Sequence, residues 1–368
     1  MAKKLIWVII VIVIAVILAS SLSRSRSNIQ NGPTEVGVLL PLSGDFVWWG
    51  QSIQNGIELA QARGLTGNMD FVYQDTKCDT KDAVSGTTLL KSEYPTMHVF
   101  IVGCDNDLKA MLPLLDKDTD MAFVAGLSGS DLYATDFPII NLSYRLEAEA
   151  SAVSDFAAKK LGIKTLGLIM GNENFDSVLD VSIPQDFGAL GGKTVVESMK
   201  INDPDPSTAV LKAIASKPDA IYVHNDIPAM SAILKRLDQL GYAGPRIMTY
   251  GAHDQSLLDS AGKSAEGFYV PWVIPDPLTS VQQDFVDSYK KMFGIDPFVT
   301  SYFVYDGVTL LDEANQSCQG NTQCMTKYFY DKTDFQGILG NVKYEPGGQV
   351  ERTFYFDQVK DGKFVEVK

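Results

Sequence analysis

The feature that most constrains this chain is a repeated alternation of apolar runs of strand length with segments of helical period. Strands are expected at residues 35–41, 69–74, 98–102 and 121–125, and helices at 49–63, 80–93 and 107–115. In the first helix Ile53, Gly56, Ile57 and Ala60 fall on one face. The series restarts after Asn141, with helices at 147–161, 177–190, 207–216 and 228–240 and strands at 165–170, 194–199, 220–224 and 246–250. Gly241 stops the last of these helices. Strands apolar throughout, lying between helices, belong to parallel sheets covered on both faces. Two successive series therefore predict α/β architecture in two doubly wound lobes. In such sheets ligands bind beyond the carboxyl ends of the strands, so the loops there carry the functional candidates. The remainder predicts helices at 281–293 and 302–315, then a hairpin-like stretch pairing 341–344 with 351–359 around Glu345-Pro346-Gly347-Gly348.

Net charge is −14, and no Lys/Arg cluster follows Arg26. Phosphate backbones and anionic membrane surfaces demand the opposite balance, so neither is an expected partner of the folded part. The N-terminus differs in character. Lys3 and Lys4 precede an apolar run from Leu5 to Ala19, which extended through Leu22 reaches 18 residues. That length just spans a hydrocarbon core of ~30 Å, and Ala19-Ser20-Ser21 is a passable cleavage site. Residues 1–27 are expected to be a signal or transmembrane anchor, the anchor being favoured. Either exports the remainder, to the periplasm or the cell surface, anchored or secreted. No Cys follows the run, which excludes a lipoprotein anchor.

Four cysteines fall into two pairs by spacing, Cys78 with Cys104 and Cys318 with Cys324. An even count in an exported chain reads as disulfides. No C-x-x-C occurs, His98, His224 and His253 stand apart from the cysteines, and neither a metal site nor a cofactor is expected. Catalytic patterns fail one by one. Gly262-Lys263-Ser264 ends like a phosphate loop, yet Leu257 stands where its first glycine belongs. Gly126-Leu127-Ser128-Gly129 lacks nucleophile-elbow spacing. Asp116, Asp118 and Asp120 open like a calcium loop, but Met121 replaces its glycine and Leu127 its glutamate. A binding protein is expected, not an enzyme.

Certain stretches carry a resemblance. Val36-Gly37-Val38-Leu39-Leu40-Pro41-Leu42-Ser43-Gly44, then Trp49-Gly50-Gln51 and Asn55-Gly56-Ile57-Glu58-Leu59-Ala60, are similar to the opening strand, loop and helix of the type I periplasmic binding proteins of the leucine/isoleucine/valine-binding family. Gln74-Asp75-Thr76-Lys77-Cys78-Asp79 with Ala83-Val84, Ser264-Ala265-Glu266-Gly267-Phe268, and Phe335-Gln336-Gly337-Ile338-Leu339-Gly340 with Tyr344 and Gly348 extend it from about residue 34 to the end. The resemblance implies a periplasmic-binding-protein-like I fold whose lobes are joined by a three-stranded hinge. Crossings would lie near 141–145, 272–277 and 347–351, giving lobe 1 as 34–143 plus 275–348 and lobe 2 as 144–274 plus 349–368. The prolines of Pro271-Trp272-Val273-Ile274-Pro275-Asp276-Pro277 favour a crossing there independently.

The implied activity is capture of an amino acid or similar small polar molecule by hinge closure for an ABC importer, with its permease as partner. A membrane-anchored ligand sensor of the same fold is the alternative. Six positions inherit ligand contacts. Trp49 stands where an aromatic covers the ligand side chain, or else caps the core. Asp105, following Cys104, replaces a serine that grips the ligand carboxylate. A carboxylate there repels unless neutralised, for which Lys109 is at hand. Gly126 and Ser128 match contacts to the same ligand head, Ser128 also suiting a tight turn. In the second lobe Asp226 and Tyr250 fall where relatives place an aromatic and an acid, Asp226 also suiting a helix N-cap ahead of Pro228.

Overall fold

The structure, a computed structural model, describes residues 33–171, 176–201, 203–345 and 348–368. The apolar stretch 1–27 lies outside the described residues. Strands β1 (Thr34–Leu40), β2 (Met69–Asp75), β3 (Val99–Val102), β4 (Met121–Val124) and β5 (Ile139–Asn141) form an all-parallel sheet in the order β2-β1-β3-β4-β5. The second sheet contains β6 (Thr165–Gly171), β7 (Lys193–Met199), β8 (Ala220–His224), β9 (Arg246–Met248) and β10 (Tyr269–Trp272). With β15 (Tyr355–Lys360) and β16 (Lys363–Glu366) its order is β16-β15-β10-β9-β8-β6-β7. The two sheets are the cores of the two lobes.

Burial explains the apolar runs. Strands β3, β4 and β8 are buried at every residue because helices cover both faces. On the first sheet, helices α1 (Val47–Ala62), α2 (Thr80–Glu93) and α3 (Asp105–Met111) follow successive strands. The second carries α4 (Leu146–Asp155), α5 (Asp176–Ala189), α6 (Ser207–Ala215), α7 (Ile227–Gln239) and α8 (Gln255–Ala261). Helices α9 (Ser280–Phe293), α10 (Val299–Cys318) and α11 (Thr322–Asp331) follow. Helix α10 lies directly against α1: a Cβ on Gly56 would sit 2.4 Å from Val304 Cγ1, so the glycine on the predicted face is what permits this approach. Caps fix several starts. Asp79 accepts from Lys81 and Asp82 N–H, and Thr279 forms a reciprocal box with Gln282.

The structure corrects the sequence reading in four places. β5 went unread because it has only three residues, of which two, Ile139 and Ile140, are apolar, directly after Pro138. β10 went unread; it ends on Pro271 and Trp272, at the start of the Pro-rich stretch, and the proline is tolerated because the ladder to β9 is confined to Tyr269↔Ile247, ahead of it. The polar stretch after Cys318 leads straight into α11, whose N-cap Asn321 accepts from Cys324 N–H. The pairing of 341–344 with 351–359 does not form. Instead Phe335–Gly337 (β11) pairs with Gly340–Val342 (β12), and Tyr344–Glu345 (β13) with Gln349–Val350 (β14). Strand β15 joins the large sheet antiparallel to β10 and stacks Phe356 on Phe156 at 3.9 Å. A lone two-stranded ribbon could not bury Phe356 and Val359 in this way.

Cys78 pairs with Cys104 and Cys318 with Cys324, with Cα separations of 5.7 and 5.6 Å. Three segments pass between the sheets. Arg352 ties the last to the first by donating to the carbonyls of Leu142 (2.9 Å) and Ser143 (3.2 Å). Phe354 meets Tyr144 edge-on at 4.9 Å.

Candidate functional site

At the carboxyl ends of the first sheet, strand exits converge beneath the start of α1. A Cβ on Gly126 would lie 2.3 Å from the Gly103 carbonyl oxygen and 3.1 Å from Trp49 Cζ2. Only glycine lets the β4 exit pass this close to the β3 exit. Trp49, half-buried, donates from Nε1 to that same carbonyl at 3.0 Å, which sets its ring over the junction. Trp48 meets Trp49 edge-on at 5.6 Å, and Phe298, the residue before α10, lies 5.3 and 6.0 Å from the two rings. Trp272, at the end of β10 in the other lobe, stands 6.5 Å from Phe298. An aromatic wall therefore runs from one lobe towards the other. Sequence reasoning named only Trp49 in it, because Phe298 sits in a loop with no period and Trp272 among prolines.

Ser128 is fully buried, its hydroxyl 2.7 Å from that of Tyr133 and its carbonyl accepting from Leu146 N–H at the start of α4. Asp105 opens α3, where its carboxylate accepts from Asn106 N–H at 2.7 Å. Lys109 reaches Asp105 at 3.5 Å and Asp131 at 2.9 Å. Burial raises the Asp105 pKa, and Lys109 opposes the rise. The local neutralisation anticipated for Asp105 is thus present.

The second sheet contributes its own exits. Asp226 caps α7, accepting from Ala229 N–H at 3.1 Å, as its position ahead of Pro228 allows. Its neighbour Asn225 went unnamed in the sequence reading. This side chain is 6% exposed, accepts from Asp226 N–H, and has an Nδ2 with no partner among the described residues. Tyr250 follows β9, and its N–H donates to Glu149 at 3.2 Å. Glu149 is wholly buried and also receives Thr249 (2.9 Å), Tyr222 (3.3 Å) and Tyr144 (3.4 Å) hydroxyls. Burial raises its pKa, against which His224 and these donors act. In sequence Glu149 is one acid among several in a plain helix. Only the packing of α4 against β8 and β9 marks it out.

The structure thus brings Trp49 and Gly126 together directly, places Asp105 and Ser128 at neighbouring exits, and sets Asp226 and Tyr250 on the facing sheet. Among the described residues, the cluster with metal-ligand spacing is Cys78, Cys104 and Asp107, and its sulfurs are joined as a disulfide. Asp120 of the calcium-like run is occupied by Lys91 (2.6 Å), His98 (2.7 Å) and Asp116 N–H (2.9 Å).

A family model described as periplasmic binding protein matches residues 33–363. The Leu/Ile/Val-binding protein homolog 2 of Brucella abortus (strain 2308) is 21% identical over 351 residues, spanning 89% of this chain and 92% of that protein. A leucine-binding protein from Thermotoga maritima superposes with a TM-score of 0.82 at 20% identity, covering 91% of this chain and 98% of its own. A solute-binding protein of an ABC transporter from R. palustris, solved with benzoate, gives 0.79 at 22% identity over 91% and 96% of the two chains. At these identities the structural likeness concerns the fold.

Proposed function

The chain belongs to the periplasmic binding protein family, and from that premise we propose that it is an extracytoplasmic receptor delivering a small solute to an ABC importer. The observation that carries this reading is the clustering of candidate contacts at the exits of parallel strands in two separate sheets, Trp49 over those of the first and Asn225 and Tyr250 at those of the second. Lobe 1 is 34–143 plus 275–348 and lobe 2 is 144–274 plus 349–368, consistent with the membership of the two sheets. Residues 1–27 tether or export the rest.

The solute is an amino acid or similar small polar molecule. Its apolar part lies against Trp49, Trp48 and Phe298. Gly126 and Ser128 take its polar head from lobe 1, Asn225 Nδ2 and Tyr250 from lobe 2. Asp105 serves through its main-chain N–H, its carboxylate being engaged by Lys109. Asp226 orients the start of α7. An open cleft admits the solute, and contacts available from both lobes only when the hinge closes shift the equilibrium towards closure. Of the similar structures, one is a leucine-binding protein and another was solved with benzoate, a range an aromatic wall suits. Mass spectrometry of small molecules carried through native purification, followed by calorimetry with the molecule found, tests this. Recovery of an amino acid or comparable polar solute that binds stoichiometrically supports it. Turnover of that molecule, or a protein that carries and binds none, would overturn it.

A further inference from the structure

The disulfide that joins the β2 and β3 exits has a companion that solute capture does not use. Cys78 and Cys104 are both partly exposed. Three residues after Cys104, in α3, stands Asp107. One of its carboxylate oxygens and the two sulfurs all lie within 4.8 Å of one another. Asp107 is 0% exposed, and neither of its oxygens makes a well-formed hydrogen bond among the described residues. The other disulfide, Cys318–Cys324, has no carboxylate so placed against both of its sulfurs among the described residues.

A buried carboxyl with no donor to satisfy it is costly to ionise. Burial raises the Asp107 pKa to about 6; the Thr76 hydroxyl opposes the rise, while Asp105 in the same helix and Asp79 and Asp82 at the start of α2 add to it. The ammonium of Lys77, at the same corner, is paired with Asp82 at 2.9 Å. The carboxyl can therefore gain and lose a proton near neutrality, and it stands against two sulfurs whose reactions turn on a proton. A bridge that only holds two strand exits together has no need of such a group.

We propose that Cys78–Cys104 is a thiol–disulfide exchange site for a dithiol, with Asp107 as its internal proton donor. One thiolate of the dithiol attacks one cysteine sulfur from solvent. The S–S bond breaks, a mixed disulfide forms, and the other cysteine leaves as a thiolate that takes the Asp107 proton. The second thiolate of the dithiol then attacks the dithiol's own sulfur in the mixed disulfide and releases the remaining cysteine, which takes a proton from water. The dithiol is oxidised by two electrons to a disulfide, the protein pair is reduced to two thiols, and water returns the proton to Asp107. Asp107 meets no external molecule and acts from the buried side.

Dithiothreitol is the probe, applied to the full folded chain from pH 5 to 8. Alkylation and peptide mass spectrometry follow each pair separately, rates are taken per unit of dithiothreitol thiolate, and Cys318–Cys324 is the reference within the same molecule. Opening of Cys78–Cys104 should slow as pH rises through about 6, where Asp107 loses the proton it donates, with no such break in the reference pair. At pH 5, Asp107→Asn should slow it by at least about tenfold and leave the reference unchanged. Asp107→Ser, smaller and also neutral, should do the same and keeps the test decisive should the first variant fail to fold. An acid acting through its charge alone predicts otherwise: it is already neutral at pH 5, so its loss would change nothing there and would speed the reaction at pH 8. Rates at pH 5 equal to or above wild type in these variants, a wild-type profile without the break, or a Cys78–Cys104 bond that stays closed while Cys318–Cys324 opens would each overturn the proposal.

Discussion

Trp49 shows how one side chain joins packing and recognition. Its indole is anchored by the Gly103 carbonyl and flanked by Trp48 and Phe298, yet the side chain is only half-buried, so part of it stays accessible. Replacing it with alanine should weaken solute binding by about 2 kcal/mol or more, roughly thirtyfold, with little change in melting temperature. Calorimetry beside a thermal melt checks this. A melting point lowered by several degrees with unchanged affinity would assign the ring to the core instead. Asp105 leads to the opposite expectation. Since Lys109 and Asn106 N–H engage its carboxylate, Asp105→Ser should bind the native solute within about threefold of wild type, a change below 1 kcal/mol. Loss beyond tenfold would mean that the carboxylate itself touches the solute. These two positions were singled out in sequence through the resemblance to the leucine/isoleucine/valine-binding family, which carries ligand contacts onto them. Asn225 and Glu149 were not, because their roles follow from contacts between α4, β8 and β9 that no local pattern encodes.

Among the elements, the parallel strands and their helices were legible because burial on both faces forces an unbroken apolar run, and helical period marks what covers it. Short or late elements were hidden. β5 has three residues, and β15 is recruited by a partner about 85 residues earlier in the chain. The β11–β12 hairpin is held by a single buried carboxylate, and this gives it a pH signature. Burial raises the Asp306 pKa from an ordinary 3.8 to about 6, with the Ile338 and Leu339 N–H groups and the Arg352 charge opposing the rise. Between those values the folded chain binds more protons here than the unfolded chain does, so this group's contribution to stability falls as pH rises from about 4 to 6. The penalty above pH 6 is at most about 3 kcal/mol. Asp306→Asn, which keeps an acceptor for Ile338 N–H, should remove that part of the pH dependence. Denaturant midpoints from pH 4 to 7 should therefore fall less in the variant than in wild type. Parallel curves would show that Asp306 stays protonated, or stays charged, throughout that range.

For the whole molecule, two series of strands and helices in the sequence imply two lobes, but not the angle between them. That angle depends on three connecting segments whose ties are few and mixed: Arg352 on two carbonyls, Phe354 on Tyr144, and Trp272 reaching towards Phe298. These polar and edge-on ties are accompanied by an apolar cluster that runs between the lobes, so relative motion must be accommodated by repacking along it. The cores on the outer faces of the two sheets are separate clusters, one around Phe100 and Leu108, the other around Ile233 and Val223. These outer cores can stay closed as the lobes turn, whereas the inner faces of both sheets join one cluster running through Leu142, Tyr144, Trp272 and Val273, and it is there that motion requires repacking. With the solute found by mass spectrometry at saturation, small-angle scattering should show a smaller radius of gyration than for the solute-free protein. Trp49→Ala at the same solute concentration should respond less, because the closed cleft then lacks the indole wall against which the solute packs. Arg352→Lys addresses the hinge directly: loosening the tie between the first and last connections should broaden the solute-free distribution while leaving the closed, occupied state close to that of wild type. A scattering curve identical with and without bound solute would rule out hinge closure and leave a rigid cleft as the mode of capture.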